Sequence, residues 1–266
     1  MLAFAGNSLL CRIALRDTSI DAASFTAIRI AAGAAMLAVL LRARGRRPMD
    51  GGSWLAALML FSYAAFFSFA YRDLSAATGA LLLFGAVQMT MMGFGLASGE
   101  RLGPMKLLGL AIALGGLVTL LLPGLAAPPL LGAALMVAAG ASWGVYSIVG
   151  KKLGEPTAAT GGNFLRAVPF AAALGLAAMN HSSVDLHGAV YAALSGAITS
   201  GLGYALWYAA LPALTATSAA IIQLSVPAIA ALGGAVLLSE PLTTRLLIAS
   251  AAILGGIAIT TMGKRR

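Results

Sequence analysis

Aromatic side chains recur at helical spacing along the chain, and such a pattern can build a surface for a flat, apolar molecule. Trp143 and Tyr146 are three positions apart, and Tyr204, Trp207 and Tyr208 follow the i, i+3, i+4 pattern. Residues at these spacings share one face of a helix. Aromatic rings offer a large apolar face, and tyrosine hydroxyls can hydrogen-bond the polar end of a ligand.

A third aromatic stripe is formed by Tyr63, Phe66 and Phe67. Rings at the same spacing also form the belt that anchors helices at a bilayer surface, or a stripe that faces lipid. That alternative suits Trp54 and Tyr71, which stand near the ends of apolar runs. The binding interpretation therefore applies best to rings that lie deep within a run.

Side-chain amides also lie inside the apolar runs, where they either contact a bound solute or join helices, and both interpretations stay open.

Trp143 is the strongest single candidate for a cavity residue. It lies between Gly140 and Gly144, a pair of small residues that lets helices approach closely. The predicted ligand-contacting set is Trp143, Tyr146, Gln88, Gln223, Phe67, Tyr204, Trp207, Asn7 and Asn163.

Arg29 and Arg166 lie within apolar runs. A cation in that position needs a carbonyl, an acid or an anionic ligand as its partner. The forked donors of arginine could hold a substrate carboxylate, but structural pairing is favoured for both residues. Arg12, near the end of the first run, is expected to extend its charge to the bilayer surface.

The acidic and histidine side chains stand outside the apolar runs. All eight acids lie at run ends or in connections, and His181 and His187 share one connection. We therefore expect no metal site, no cofactor, no catalytic residues, and no buried carboxylate that exchanges a proton for cargo. Cys11 is the only cysteine, so no disulfide is expected. Glu100 and Glu240 each precede a run and are expected to cap helices.

The composition predicts that these residues are carried by membrane helices. The chain is 60% hydrophobic and only 9% charged, whereas a soluble domain carries about 25% charged residues. The runs do not alternate apolar and polar positions, so helices are predicted instead of barrel strands. Pro169 and Pro227 interrupt two runs and are candidate hinges. The ten predicted spans are 2–16, 21–42, 53–71, 75–97, 103–122, 129–150, 157–179, 187–209, 213–238 and 243–262.

The net charge of +9 comes from basic residues at the ends of the spans. With the amino end inside, the cytoplasmic connections hold eleven lysines and arginines, and the outer connections hold three. This asymmetry predicts a multi-pass inner-membrane protein with both termini in the cytoplasm. It also argues against a patch that binds nucleic acid. Partners are thus a small-molecule substrate and the lipid bilayer, and the expected form is a monomer. The first span is short, so residues upstream of it are expected.

The chain repeats itself. LSAATGALLLFGAV (74–87) aligns with LTATSAAIIQLSVP (214–227) at a shift of 140 residues. The halves 1–124 and 129–266 each hold five spans, so the second enters the membrane inverted. The basic loop 42–50 corresponds to the loop 180–187, which has no lysine or arginine, as inversion requires. Inverted halves enclose a cavity that opens to either face in turn, as secondary transporters do.

The repeated segments GERLGPMKLLGLAIALGGLVTLL and LSEPLTTRLLIASAAILGGIAI resemble the carboxyl-terminal signature of the drug/metabolite transporter superfamily, in its ten-helix EamA branch. GASWGVYSIVGKKLG (140–154) resembles the first helix of that repeat. The resemblance implies a ten-helix basket with a central cavity that exports small metabolites. Within the branch the chain looks most like the YddG-type exporters of aromatic and neutral amino acids. Efflux of drugs or other metabolites is the alternative.

Overall fold

The chain is described by a computed structural model that covers residues 1–99, 103–122, 127–150, 153–210, 213 and 222–262. Within these ranges it is entirely helical, without strands, which confirms the predicted all-α class. The helices are α1 Leu2–Asp17, α2 Ala22–Ala43, α3 Trp54–Ala70, α4 Ala76–Ala97, α5 Pro104–Leu121, α6 Leu130–Gly150, α7 Pro156–Ala177, α8 Leu186–Leu194, α9 Gly203–Ala210, α10 Ser225–Leu238 and α11 Thr244–Met262. A short 3₁₀ turn, Met179–His181, follows α7.

Five of the described helical segments are long and apolar enough to cross a membrane: α2, α4, α5, α6 and the segment Leu186–Trp207. The apolar helices Trp54–Ala70, Ser225–Leu238 and Thr244–Thr260 are shorter. With α1 and α7, and with α8 and α9 taken as one crossing, the described helices occupy the ten predicted spans. Residues 214–221 of the predicted ninth span lie outside the described residues.

The sequence marks where several helices begin, because a polar residue there accepts backbone N–H groups that have no partner within the helix. Asp21 caps α2, Ser53 caps α3 and Ser75 caps α4. Glu155 caps α7 and Asp185 caps α8 in the same way. These caps fix the ends of the helices that carry most of the candidate site.

Helices α5 and α11 form a close antiparallel pair. A Cβ at Gly109 would lie 2.5 Å from the carbonyl oxygen of Gly256, and the reverse holds equally. Further along α5, Gly116 faces Ala252 and Ile253. Residue numbers rise along one helix as they fall along the other, so the two run in opposite directions. Glycine is needed at this crossing because the two backbones leave no room for a side chain.

Helices α2 and α7 cross in the same antiparallel manner. Gly33 of α2 faces the ring of Phe164, whereas Gly161 of α7 faces Leu41. Helix α4 packs against α10, and α6 lies across α3 and α4. The bundle core therefore forms where helices from the two parts of the chain meet.

A π-helical segment, Ser195–Leu202, joins α8 to α9. Gly196 lies against the backbone carbonyl of Arg29, where a side chain would not fit. The wider turn directs the hydroxyls of Ser195, Thr199 and Ser200 toward α1 and α2. Such π segments often occur at functional sites.

Candidate functional site

A cavity of about 520 Å³ lies between the helices. This volume falls within the range of about 300–1,000 Å³ that is typical of small-molecule sites. All nine residues of the predicted ligand-contacting set line it. The other lining residues are Phe4, Ser8, Tyr63, Leu83, Phe84, Val87, Met91, Ser147, Gly150, Gly154, Pro156, Ala159 and Thr160.

Trp143 occupies the centre of an aromatic cluster in this cavity. Its ring centroid lies 4.8 Å from that of Tyr63, 5.0 Å from Tyr204 and 5.1 Å from Tyr146. Phe4 adds an edge contact to Tyr204, with centroids 5.7 Å apart. Tilted and edge-on pairs at these separations stabilise one another beyond simple area burial. Together they form a preorganised apolar wall on which a flat ring can stack.

Two of the predicted amides make no hydrogen bond within the part of the chain that the structure describes. Gln88 on α4 and Gln223, just ahead of α10, line the cavity, and neither hydrogen-bonds any described residue. Both amides are partly buried, where a polar group without a partner is costly. They are thus available to a bound molecule, as the binding interpretation requires.

On one side of the cavity, Asn7, Tyr63, Arg29 and Ser200 form a hydrogen-bonded cluster, which we call the Arg29 wall. The Tyr63 hydroxyl accepts from Asn7 Nδ2 at 3.2 Å and from Arg29 Nη2 at 3.1 Å. Arg29 Nε donates to Ser200 Oγ at 3.3 Å. Asn7 Oδ1 accepts from Ser195 Oγ at 2.6 Å. Asn7 therefore both joins helices and lines the cavity.

A second part of the lining is formed by Tyr146 and Asn163, and with Arg166, three positions beyond Asn163 on α7, we call it the Arg166 wall. Asn163 Nδ2 donates to the Tyr146 hydroxyl at 3.4 Å, and Asn163 Oδ1 accepts from the Ser53 backbone N–H at 2.8 Å. Arg166 Nη1 donates to the carbonyl of Gly51 at 2.6 Å. This wall is held to the connection that leads into α3.

The cavity approaches the surface near the connection between α6 and α7. Gly154 and Pro156, which line it, are exposed, and we call this the open end. Ala76 begins α4 at the opposite end, whereas Gln88, twelve residues along, lies about 18 Å nearer the open end. The cavity thus extends from mid-bundle toward the connection between α6 and α7.

The opposite end, which we call the closed end, is held by an ion pair. Arg12 Nε lies 3.0 Å from Glu240 Oε1, and both side chains are largely buried. Arg12 Nη1 also donates to the Tyr71 carbonyl at 2.9 Å, and Glu240 Oε2 accepts from the Ala76 N–H at 2.8 Å. Residues from α1, α3, α4 and the end of α10 are thereby joined across this end.

Comparison with known proteins assigns the chain that forms this cavity to a family. The model of the EamA-like transporter family matches residues 130–262, half of the chain. The chain belongs to the EamA-like transporter family. It is therefore a multi-pass membrane transporter with a small-molecule substrate.

Two relatives and one solved structure match nearly the whole of this EamA-like chain. An uncharacterized protein of Pseudomonas aeruginosa is 60% identical over 97% of this chain and 91% of its own length. An uncharacterized transporter of Archaeoglobus fulgidus is 27% identical over 98% of this chain and 94% of its own. A crystal structure of a protein 20% identical in sequence matches 100% of this chain and 98% of its own, with a TM-score of 0.68. At that identity the match shows a shared fold alone.

In this EamA-like transporter, three expectations about the closed end are wrong. Arg12 pairs with Glu240 instead of extending to the bilayer surface. Glu240 caps the start of α4 instead of its own helix, α11, whose first turn is capped by Thr243. Tyr71 is fully buried, not part of a belt, whereas Trp54 is 59% exposed. In each case a contact distant in sequence overrides the position near a span end.

The candidate hinges have different surroundings. Pro169 lies within α7, which continues past it, and Pro227 stands in the first turn of α10, where its missing N–H costs no hydrogen bond. Hinge motion at either proline stays a prediction. Glu100 and the side chain of Tyr208 lie outside the described part of the chain.

The predictions from sequence do not include the hydroxyl groups in and beside the Arg29 wall. They place Tyr63 in an aromatic stripe outside the predicted binding set, and they give no role to Ser195, Thr199 and Ser200. The signal was the stretch SGAITSG (195–201), in which small and hydroxyl residues interrupt an apolar run. Hydroxyls at such positions commonly hydrogen-bond across helices.

Proposed function

We propose that this chain is a secondary transporter that exports small metabolites, foremost aromatic and neutral amino acids, by alternating access through the central cavity. The observation that carries the proposal is an aromatic cluster around Trp143 in the same cavity as the amides of Gln88 and Gln223, which hydrogen-bond no described residue. Stacking on the rings suits an apolar side chain, and the amides suit the polar groups of an amino acid.

Two inverted five-helix repeats are part of the proposal. The shift of 140 residues pairs α5 with α11 and α4 with α10, and each helix packs against its counterpart. The α5–α11 pair is antiparallel, as counterparts in inverted halves are. Helices α2 and α7, second in each half, behave likewise. This arrangement supports an exchange of the open and closed ends by related movements of the two halves.

The open end faces the cytoplasm in this proposal. The connection between α2 and α3 lies at that end, where Asn163 of the cavity wall accepts from the Ser53 N–H. This connection carries Arg44, Arg46 and Arg47, and basic connections stay on the cytoplasmic side of a membrane. Both termini are then cytoplasmic, and a cavity open to the cytoplasm is the state in which an exporter of the inner membrane loads its cargo.

The Arg12–Glu240 pair is the contact that must break when the transporter opens outward. Its groups are largely buried and also hydrogen-bond the end of α3 and the start of α4, and leaving either buried charge without its partner is strongly unfavourable. Cargo binding would offset that cost through contacts made only as the two halves rearrange.

Efflux of drugs or other metabolites is the alternative. The described lining residues include no carboxylate, which disfavours cationic drugs, since organic cations are commonly held by an acid at membrane depth. A monomer is part of the proposal. An uptake role would require the same flux in the opposite direction.

The test is a flux panel in reconstituted vesicles. Purified full-length protein is inserted, the vesicles are loaded with each labelled common amino acid, and efflux is followed. We expect the fastest flux for phenylalanine, tyrosine or tryptophan, inhibited by other aromatic amino acids. Flux of organic cations without flux of any amino acid would instead favour the alternative.

A further inference from the structure

Arg29 carries a buried charge that no described residue neutralises. Its side chain is 2% exposed, and the ion pairs among the described residues are Arg12–Glu240, Arg16–Asp17 and Arg46–Glu155. Its Nη1 has no hydrogen-bond partner there either. A cation within a membrane span is costly unless an anion or carbonyls surround it. The rings of Tyr63 and Phe67 offset part of this cost, at 5.1 and 4.9 Å from Arg29 Cζ.

The Tyr63 hydroxyl connects Arg29 to the cavity, because it hydrogen-bonds the guanidinium and lines the cavity. Its oxygen accepts two hydrogen bonds, from Asn7 and from Arg29. A phenol oxygen that accepts two bonds still has its own O–H to donate, and no described residue accepts it. Hydrogen bonds in such a chain polarise one another, so donation from Arg29 makes this O–H a stronger donor. Both Tyr63 and Asn7 line the cavity.

We infer that the Arg29 wall is a carboxylate subsite. The Tyr63 hydroxyl donates to a carboxylate of the cargo, and Arg29 holds that hydroxyl in place and makes it a stronger donor. The inference rests on the proposed function and narrows it. The substrate class is a small molecule with an aromatic or apolar body and a carboxylate next to it. Trp143, 4.8 Å from the Tyr63 ring, would stack on the body while the carboxylate meets the hydroxyl.

The test compares two ligands that share a body and differ in the carboxylate. Binding of tryptophan and of tryptophanamide to the purified full-length transporter is measured by calorimetry near neutral pH. We expect the wild type to prefer tryptophan by about tenfold, as one hydrogen bond to a charged acceptor would give. Equal affinity for the two ligands, or binding of neither, would overturn the inference. Flux of amino acids in vesicles would still test the proposed function separately.

Two variants of the Arg29 wall decide the assignment. Tyr63→Phe removes only the hydroxyl, and Arg29→Gln removes only the charge; in both, the preference should fall below about twofold, with affinity for the amide nearly unchanged. Arg29→Lys should restore part of the preference, since it restores the charge. Should Arg29→Gln fail to fold, Tyr63→Phe alone settles the matter. A preference that survives Tyr63→Phe would contradict the inference.

The matched control is Tyr146→Phe, which removes a cavity hydroxyl from the Arg166 wall. It should alter the affinities for both ligands alike and leave their ratio intact. The titrations are repeated at high chloride, because an inorganic anion could occupy the same wall. Retention of the preference supports a cargo carboxylate, whereas its loss identifies a general anion site and overturns the inference.

Discussion

The two walls of the cavity are built from similar residues and differ in what their arginine contacts. Each wall has a tyrosine whose hydroxyl accepts from an asparagine, and each has an arginine, on α2 and α7 respectively. Arg166 donates to the carbonyls of Gly51 and Gly162, and its charge is partly exposed. Arg29 is buried, donates to two hydroxyls and keeps one Nη unpartnered among the described residues.

This difference separates a structural arginine from a functional one. Two carbonyl groups accept from Nη1 of Arg166, and the partial exposure of this residue lets water solvate the rest of its charge, so this arginine needs no ligand. Arg29 is surrounded by hydroxyls and rings, which solvate its charge only in part. An anion would complete its surroundings, and the cavity is the place from which an anion could come.

Trp143 contacts the tyrosines of both walls, so its loss should have the largest effect. We expect Trp143→Ala to reduce flux of aromatic amino acids by about tenfold or more, because about 2 kcal/mol of stacking and apolar contact is removed. Initial rates in vesicles give the measurement. Trp54→Ala, at an exposed ring, is the control and should transport normally. Comparable losses in both variants would show that the cluster has no special role.

Arg166→Met should affect stability and leave selectivity unchanged. It removes the donor to the Gly51 carbonyl, and one such bond to a charged group contributes about 1–3 kcal/mol. The midpoint of thermal unfolding should fall, while the ratio of affinities for tryptophan and tryptophanamide should match that of the wild type. A changed ratio of affinities would mean that Arg166, like Arg29, contributes to recognition of the carboxylate.

Glu155, at the start of α7, gives the smallest expected effect. Partial burial raises the pKa of its carboxyl, but hydrogen bonds from the N–H groups of Ala158 and Thr157 outweigh this and leave the pKa lowered. A lowered pKa means that the stabilisation is present above the ordinary value and is lost as the pH falls through the folded one. Because the side chain is 39% exposed, we expect only about 0.5–1 kcal/mol.

The check is unfolding of the wild type and of Glu155→Gln between about pH 6 and about pH 3. The wild type should lose more stability over this interval than the variant does. Equal losses of stability in the two proteins would show that the Glu155 cap of α7 contributes nothing measurable to the free energy of unfolding.

Much of this architecture can be predicted from sequence, because it depends on local properties. Apolar runs give the helices, and caps such as Asp21 and Ser53 mark their first turns. The nine predicted cavity residues meet in one cavity because rings and amides deep in apolar spans avoid lipid. Their role in binding stays a prediction.

The remainder depends on contacts between distant residues. Arg12 and Glu240 are 228 positions apart, and nothing local in either segment indicates the pair. The contrast between Arg29 and Arg166 arises from the π-helical segment on one side and the α2–α3 connection on the other. Neither could be inferred from an arginine within an apolar run.

The central claim is that the cavity opens to one side of the membrane at a time, and single-cysteine accessibility tests it most directly. Gln88→Cys in a Cys11→Ala background is exposed to a membrane-impermeant maleimide from either face of oriented vesicles. We predict labelling from the cytoplasmic face, protection by tryptophan, and a shift of labelling toward the outer face when Glu240→Gln weakens the closed end. Equal labelling from both faces, or labelling unaffected by both tryptophan and Glu240→Gln, would contradict the account.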